Sequence, residues 1–89
     1  MNKTNTFGVV FYDTAKKPLS AKIISACDGY QQRFGQPATH VFVNSADLAT
    51  DVAGVNDLRG SLIIDAPTAT TGGFVQQPNN VWAGVIVEA

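Results

Sequence analysis

Apolar and polar positions fall into blocks along this chain, and the blocks predict the order strand, helix, strand, helix, strand, hairpin. Phe7-Gly8-Val9-Val10-Phe11-Tyr12 is short, apolar and rich in β-forming residues, which predicts a strand. Apolar residues alternate onto both of its faces, so it is expected inside a sheet and covered on both sides. Asp13 to Lys17 reads as a turn into Pro18, a residue suited to the first helical turn. From there Leu19, Ile23, Cys27, Tyr30 and Phe34 recur at helical spacing, and one apolar stripe results, widened by Ile24 and Ala26. Lys22, Asp28, Gln31, Gln32 and Arg33 form the wet side. Gly35 stands where a left-handed residue ends a helix, and Pro37 prevents continuation. Gly29, inside the helix, costs about 1 kcal/mol relative to Ala, and permits close packing or a kink.

The second half is read in the same way. Thr39 to Val43 is a strand. Asn44 caps a short helix over Ser45 to Thr50, with Asp47 at the third position as the reciprocal capping partner. Val52 to Arg59 contains Gly54, Asn56 and Asp57 and reads as a loop. Ser61 to Asp65 is a third strand, and Ala66 to Gly73 is an uncharged stretch of small residues. Phe74-Val75-Gln76 and Val81 to Val87 flank Gln77-Pro78-Asn79-Asn80, where Pro followed by Asn fits a turn; together they predict a terminal hairpin. The result is a single α+β domain over residues 1–89, one sheet of about four to five strands with one long and one short helix.

Composition narrows the functional classes. The chain is 45% hydrophobic and 15% charged, against roughly 25% charged in an average soluble domain, so it folds and has apolar surface to spare for a partner or a second copy. Net charge is −1, and no basic helix is interleaved with aromatics, which disfavours nucleic acid. The charge is uneven. Residues 1–39 hold Lys3, Lys16, Lys17, Lys22 and Arg33 against Asp13 and Asp28; residues 40–89 hold Arg59 against Asp47, Asp51, Asp57, Asp65 and Glu88. One cysteine forms no internal disulfide, the N-terminus lacks the apolar stretch of a signal peptide, and no apolar run approaches a membrane span. A cytoplasmic protein with no membrane contact is expected.

Candidate chemistry is thin. Cys27 with His40 as its base would be a nucleophile pair, but Cys27 sits on the apolar stripe, where a free thiol packs as a small hydrophobe. A single His and a single Cys lack zinc spacing, and the aspartates fall at caps, loops and strand ends, so neither metal nor cofactor is expected. Thr70, Thr71, Gly72 and Gly73, with Asp65 before them, form the best candidate ligand loop, although a phosphate loop would carry Lys and open a helix. The final strand, read as a sheet edge open to another chain, offers Val81, Trp82, Val85 and Val87 as an interaction surface, with Trp82 either an anchor of the core or a contact residue.

Tyr30-Gln-Gln-Arg-Phe-Gly-Gln-Pro37, Val41-Phe-Val-Asn-Ser-Ala-Asp-Leu48 and Pro78-Asn-Asn-Val-Trp-Ala-Gly84 resemble small proteins of bacterial phages and mobile elements. Asn44 to Leu48 together with Leu58 to Ile64 is more remotely similar to part of the peripheral domain of tailed-phage major capsid proteins. The likeness spans roughly residues 20–86. The chain departs from it at Ser45, where a proline is usual, and in being much shorter than a capsid subunit. The resemblance implies a phage or mobile-element origin and an assembling, non-catalytic role, and it supplies no site residues. The expected function is a small binding or structural module, homo-oligomeric or partner-bound. The alternatives are a phage-type inhibitor of a host enzyme, and a ligand-binding protein or enzyme using the 68–73 loop.

Overall fold

The computed structural model describes residues 4–67 and 76–88. Its elements are β1 (Thr4–Tyr12), α1 (Leu19–Phe34), β2 (His40–Val43), α2 (Ser45–Thr50), α3 (Val52–Leu58), β3 (Ile63–Asp65) and β4 (Asn80–Glu88). The four strands make one mixed sheet in the order β1-β4-β2-β3. β4 is antiparallel to both β1 and β2, and β3 is parallel to β2. The fold is α+β, as the blocks predict.

Register decides which side chains share a face. Phe7, Val9 and Phe11 stand opposite Val85, Ala83 and Val81; Val41 and Val43 stand opposite Ala83 and Val81, and Ile64 beside Val41. Because directly paired residues point the same way, these side chains form one apolar face. Leu19, Ile23, Ala26 and Tyr30 of α1 and Val55 of α3 pack on it, with Leu48 and Leu58 at its margin. All three helices therefore lie on one side of the sheet. Ile24, expected to widen the helical stripe, is instead exposed, one position round the helix from the buried Ile23. Gly29 meets Phe11: an added Cβ would stand 2.8 Å from that ring, so the glycine serves close packing of helix on strand.

The opposite face holds Gly8, Val10 and Tyr12 of β1, Gly84 and Trp82 of β4, and His40 and Phe42 of β2. Here Gly8 is paired with Gly84, and the Trp82 indole lies flat across both. A Cβ on Gly8 would come 2.6 Å from the Trp82 Cε2, and one on Gly84 2.7 Å from its Cη2. The Phe42 ring stacks on the indole at 4.9 Å between centroids, and both aromatics are buried. Two missing side chains thus make a smooth floor for a large ring.

The stretch 52–59, expected as a loop, is helical to Leu58. The cause is Asp51. Its carboxylate accepts the Gly54 N–H at 3.3 Å and the Ser20 N–H at 2.9 Å, so one side chain caps α3 and also α1, whose own N-cap, Pro18, has none to offer. Gly54 is required in this arrangement, because a Cβ there would meet the Asp51 carboxylate and the Ser20 hydroxyl at 2.6 Å. Asp47 is likewise drawn away from local capping: it accepts the Asn79 N–H at 2.8 Å, while Asn44 caps α2 unaided through Ala46 and Asp47.

The turn 77–80 forms as expected, closed by the Asn80 N–H on the Gln77 carbonyl at 3.1 Å. Asn79 takes the positive φ of 67° that the third position of a type II turn needs. The predicted hairpin does not describe β4, whose antiparallel neighbours are β1 and β2. Of the hairpin's first strand, Phe74 and Val75 lie outside the described residues, and Gln76 is buried but not in a strand. Two further expectations are reversed. β1 is the outermost strand rather than an interior one, and β4, expected at an edge, has a neighbour on each side.

Two outcomes follow from this packing. A Cβ at Gly84 would also meet the Phe7 carbonyl oxygen and the Gly8 Cα of β1, so Gly84→Ala should lower unfolding free energy by about 1–3 kcal/mol, the range for overpacked sites, measured by urea titration; an unchanged midpoint would show that the β1–β4 backbone spacing and the indole both give way. Asp51 is held below the ordinary carboxylate range, first by the Ser20 hydroxyl and then by the Ser20 and Gly54 N–H groups. Its contribution is therefore complete above the unfolded carboxyl value and is lost as pH falls through the lower folded one. Asp51→Ala should be less stable than the parent chain at neutral pH, with the two urea midpoints converging as pH drops below about 4.

Candidate functional site

Among the described residues the outer edge of β1 is the longest unpaired strand edge of the sheet, nine residues against three in β3. Thr4-Asn-Thr-Phe-Gly-Val-Val-Phe-Tyr12 contains no charged residue and no proline, and its nine residues pair with β4 in one unbroken register without a bulge. Exposed strand edges are ordinarily blunted by lysine, proline or a bulge. β1 has none of these. Among the described residues no strand lies beyond it.

Hydrogen-bond parity shows which groups are free. The Asp13 N–H donates to the Asn79 carbonyl at 3.0 Å, just past the Tyr12–Asn80 pair. In a regular antiparallel ladder the inward groups alternate, so those of Asn5, Phe7, Val9 and Phe11 are spent on β4. The N–H and C=O groups of Thr4, Thr6, Gly8, Val10 and Tyr12 point away from the sheet. They form a row of donors and acceptors at the spacing of an extended chain.

Apolar side chains border this row on both faces. On the helix side Phe7, 51% exposed, meets Phe34 edge-on at 4.8 Å and Tyr30 at 6.3 Å, and Arg33 lies over the Phe11 ring at 5.8 Å. On the other side Val10 and Tyr12 are 52% and 70% exposed. A strand predicted in the interior of a sheet has no edge to offer, so the apolar pattern by itself points away from this one. The missing charges and prolines in Thr4–Tyr12 were the signal that could have found it.

The candidates named from sequence fall elsewhere. Val81 is fully buried on the helix face and Trp82 is buried on the other. Val85 is half-buried at the margin of the core, and Val87 is paired with Asn5 in the ladder. Because β4 is flanked by β1 and β2, its backbone offers no edge. Asp65 is exposed at the end of β3, on the face opposite the helices, while Thr70, Thr71, Gly72 and Gly73 lie outside the described residues. Cys27 and His40 do not meet. Cys27 is on the helix layer, whereas His40, next to the inward Val41, points to the opposite face, its Nδ1 2.7 Å from the Thr39 hydroxyl. Asp47 and Asp51 are engaged in the caps and turn described above. Among the described residues no group of three or more His, Cys, Asp or Glu could hold a metal ion, and no helix is long and apolar enough to cross a membrane.

No protein family, curated protein or solved structure matches the chain.

Burial, and secondarily the neighbouring Asp28, pushes the Cys27 thiol up to about 11 from 9.0. Since the thiolate is the reactive form, alkylation of the folded protein near pH 8 should be on the order of a hundredfold slower than in denaturant. Equal rates in the two states, followed by mass spectrometry, would contradict the half-buried placement.

Proposed function

We propose that this protein is a small, non-catalytic binding or structural module that takes an extended segment of a protein partner as an added strand on β1. The observation that carries the reading is the row of outward backbone groups from Thr4 to Tyr12, bordered by apolar side chains and, among the described residues, without lysine, proline or a bulge in the strand. Strand addition draws affinity from the main chain and selectivity from alternate side chains, and here Phe7 on one face and Val10 with Tyr12 on the other supply the selecting contacts. The phage-like resemblance of residues 20–86 points the same way, toward assembly.

Peptide-display selection against the immobilised domain tests this. Sequences rich in β-branched and aromatic residues should be recovered, and their binding should be abolished by Val10→Pro. That substitution removes an outward N–H without touching the ladder to β4. Ile63→Lys, at the other end of the sheet, should leave binding unchanged. Recovery of no binders, or of binders indifferent to Val10→Pro, would overturn the reading.

A further inference from the structure

We infer that the strand added to β1 is the β1 of a second copy, paired antiparallel about a two-fold axis at Gly8, so that the sheet runs on through two molecules. This rests on the strand-addition reading above and names its occupant. The first support is self-complementarity. When two copies of Thr4–Tyr12 are laid antiparallel, only the register centred on Gly8 overlaps the whole strand, with Gly8 opposite Gly8, Thr6 opposite Val10 and Thr4 opposite Tyr12. These are the residues whose backbone groups point outward. In this register each pair exchanges both of its N–H···O bonds, so every outward group of the strand finds a partner. A register shifted by one residue along either strand would face outward groups with inward ones.

The second support is charge. Copies of one molecule repel unless their meeting surfaces are neutral or alternate in sign. Thr4–Tyr12 carries no charge, and the whole chain carries −1, so the paired strands set no like charges opposite each other. The third is shape. α1 packs chiefly over β4 rather than β1, so among the described residues the helix layer leaves the edge clear for a second sheet. Phe7 then stands across from the partner's Val9 on the helix side, and Val10 across from the partner's Thr6 on the other. The exposed rims thereby acquire neighbours. A strand pair with such rims belongs with small interfaces, below about 1,200 Å², which are weak and transient as a class, so the dimer should dissociate on dilution.

Light scattering coupled to size exclusion, run over a dilution series, reads the mass against 9.4 kDa for one chain. The parent chain should pass from twice that mass toward one, and Val10→Pro should stay at one with an unchanged circular dichroism spectrum. Register is read by two double variants whose backbones are left intact. Thr6→Lys/Val10→Lys sets lysines opposite each other across the axis and should be monomeric at low salt. Thr6→Lys/Val10→Glu sets Lys opposite Glu and should dimerise at low salt, since cross-strand opposite charges attract and like charges repel. A parent chain that is monomeric throughout overturns self-pairing, while peptide capture on β1 would still show the edge in use. A dimer that survives Val10→Pro overturns the edge as its interface. Identical behaviour of the two charge variants overturns the register.

Discussion

The domain depends on the double pairing of β4. β1 and β2 are separated by 27 residues between Tyr12 and His40, yet they do not touch as strands; β4, late in the sequence, lies between them and bonds to both, while β2 carries β3 on its other side. The core face of the sheet is likewise continuous only because Val81, Ala83 and Val85 fill the row between Val9 and Val41. Until β4 is in place, β1 has no partner among the described strands and α1 has half a surface to lie on. The molecule is thus closed by a contact between its two ends, a non-local pairing whose loop-closure entropy must be met before the contacts form.

The elements that hold β4 in position come from across the fold. Asp47 of α2 takes the Asn79 N–H, Lys22 of α1 reaches the Asn79 side chain at 3.2 Å, and Asn44 donates to the Gln76 carbonyl at 3.0 Å. Asp51 does the same for the helices, tying the starts of α1 and α3 to one carboxylate. Asp47, Asp51, Lys22 and Asn44 are therefore employed as clamps between segments.

Placing β4 in the middle sends β1 to the rim. The same residues that would suit a central strand, neutral and apolar on both faces, then stand on an edge without protection. On the helix-free face the Gly8–Gly84 pair lets Trp82 and Phe42 lie close against the sheet, while Val10 and Tyr12 beside them remain open. A strand with the composition of an interior one thus occupies the position of an edge one, which is the basis of the strand addition proposed above.

Local patterns fixed much of this protein. The apolar stripe from Leu19 to Tyr30 specifies α1, Gly35 with its φ of 72° ends it, Asn44 starts α2, and Pro78-Asn79 makes the turn into β4. In each case the information lies within a few residues, in side-chain spacing or backbone preference. Strand order is different. Nothing in Phe7–Tyr12 or Val81–Val87 says which is central, because both are apolar on two faces and pairing is decided by which arrangement buries the joint surface. α3 was hidden for a related reason: Gly54 and Asn56 favour a loop by themselves, and only Asp51, shared with Ser20 31 positions away, turns them into a helix. The candidate site moved with the strand order, from β4 to the edge of β1, since an edge is a property of the assembled sheet and of no single segment.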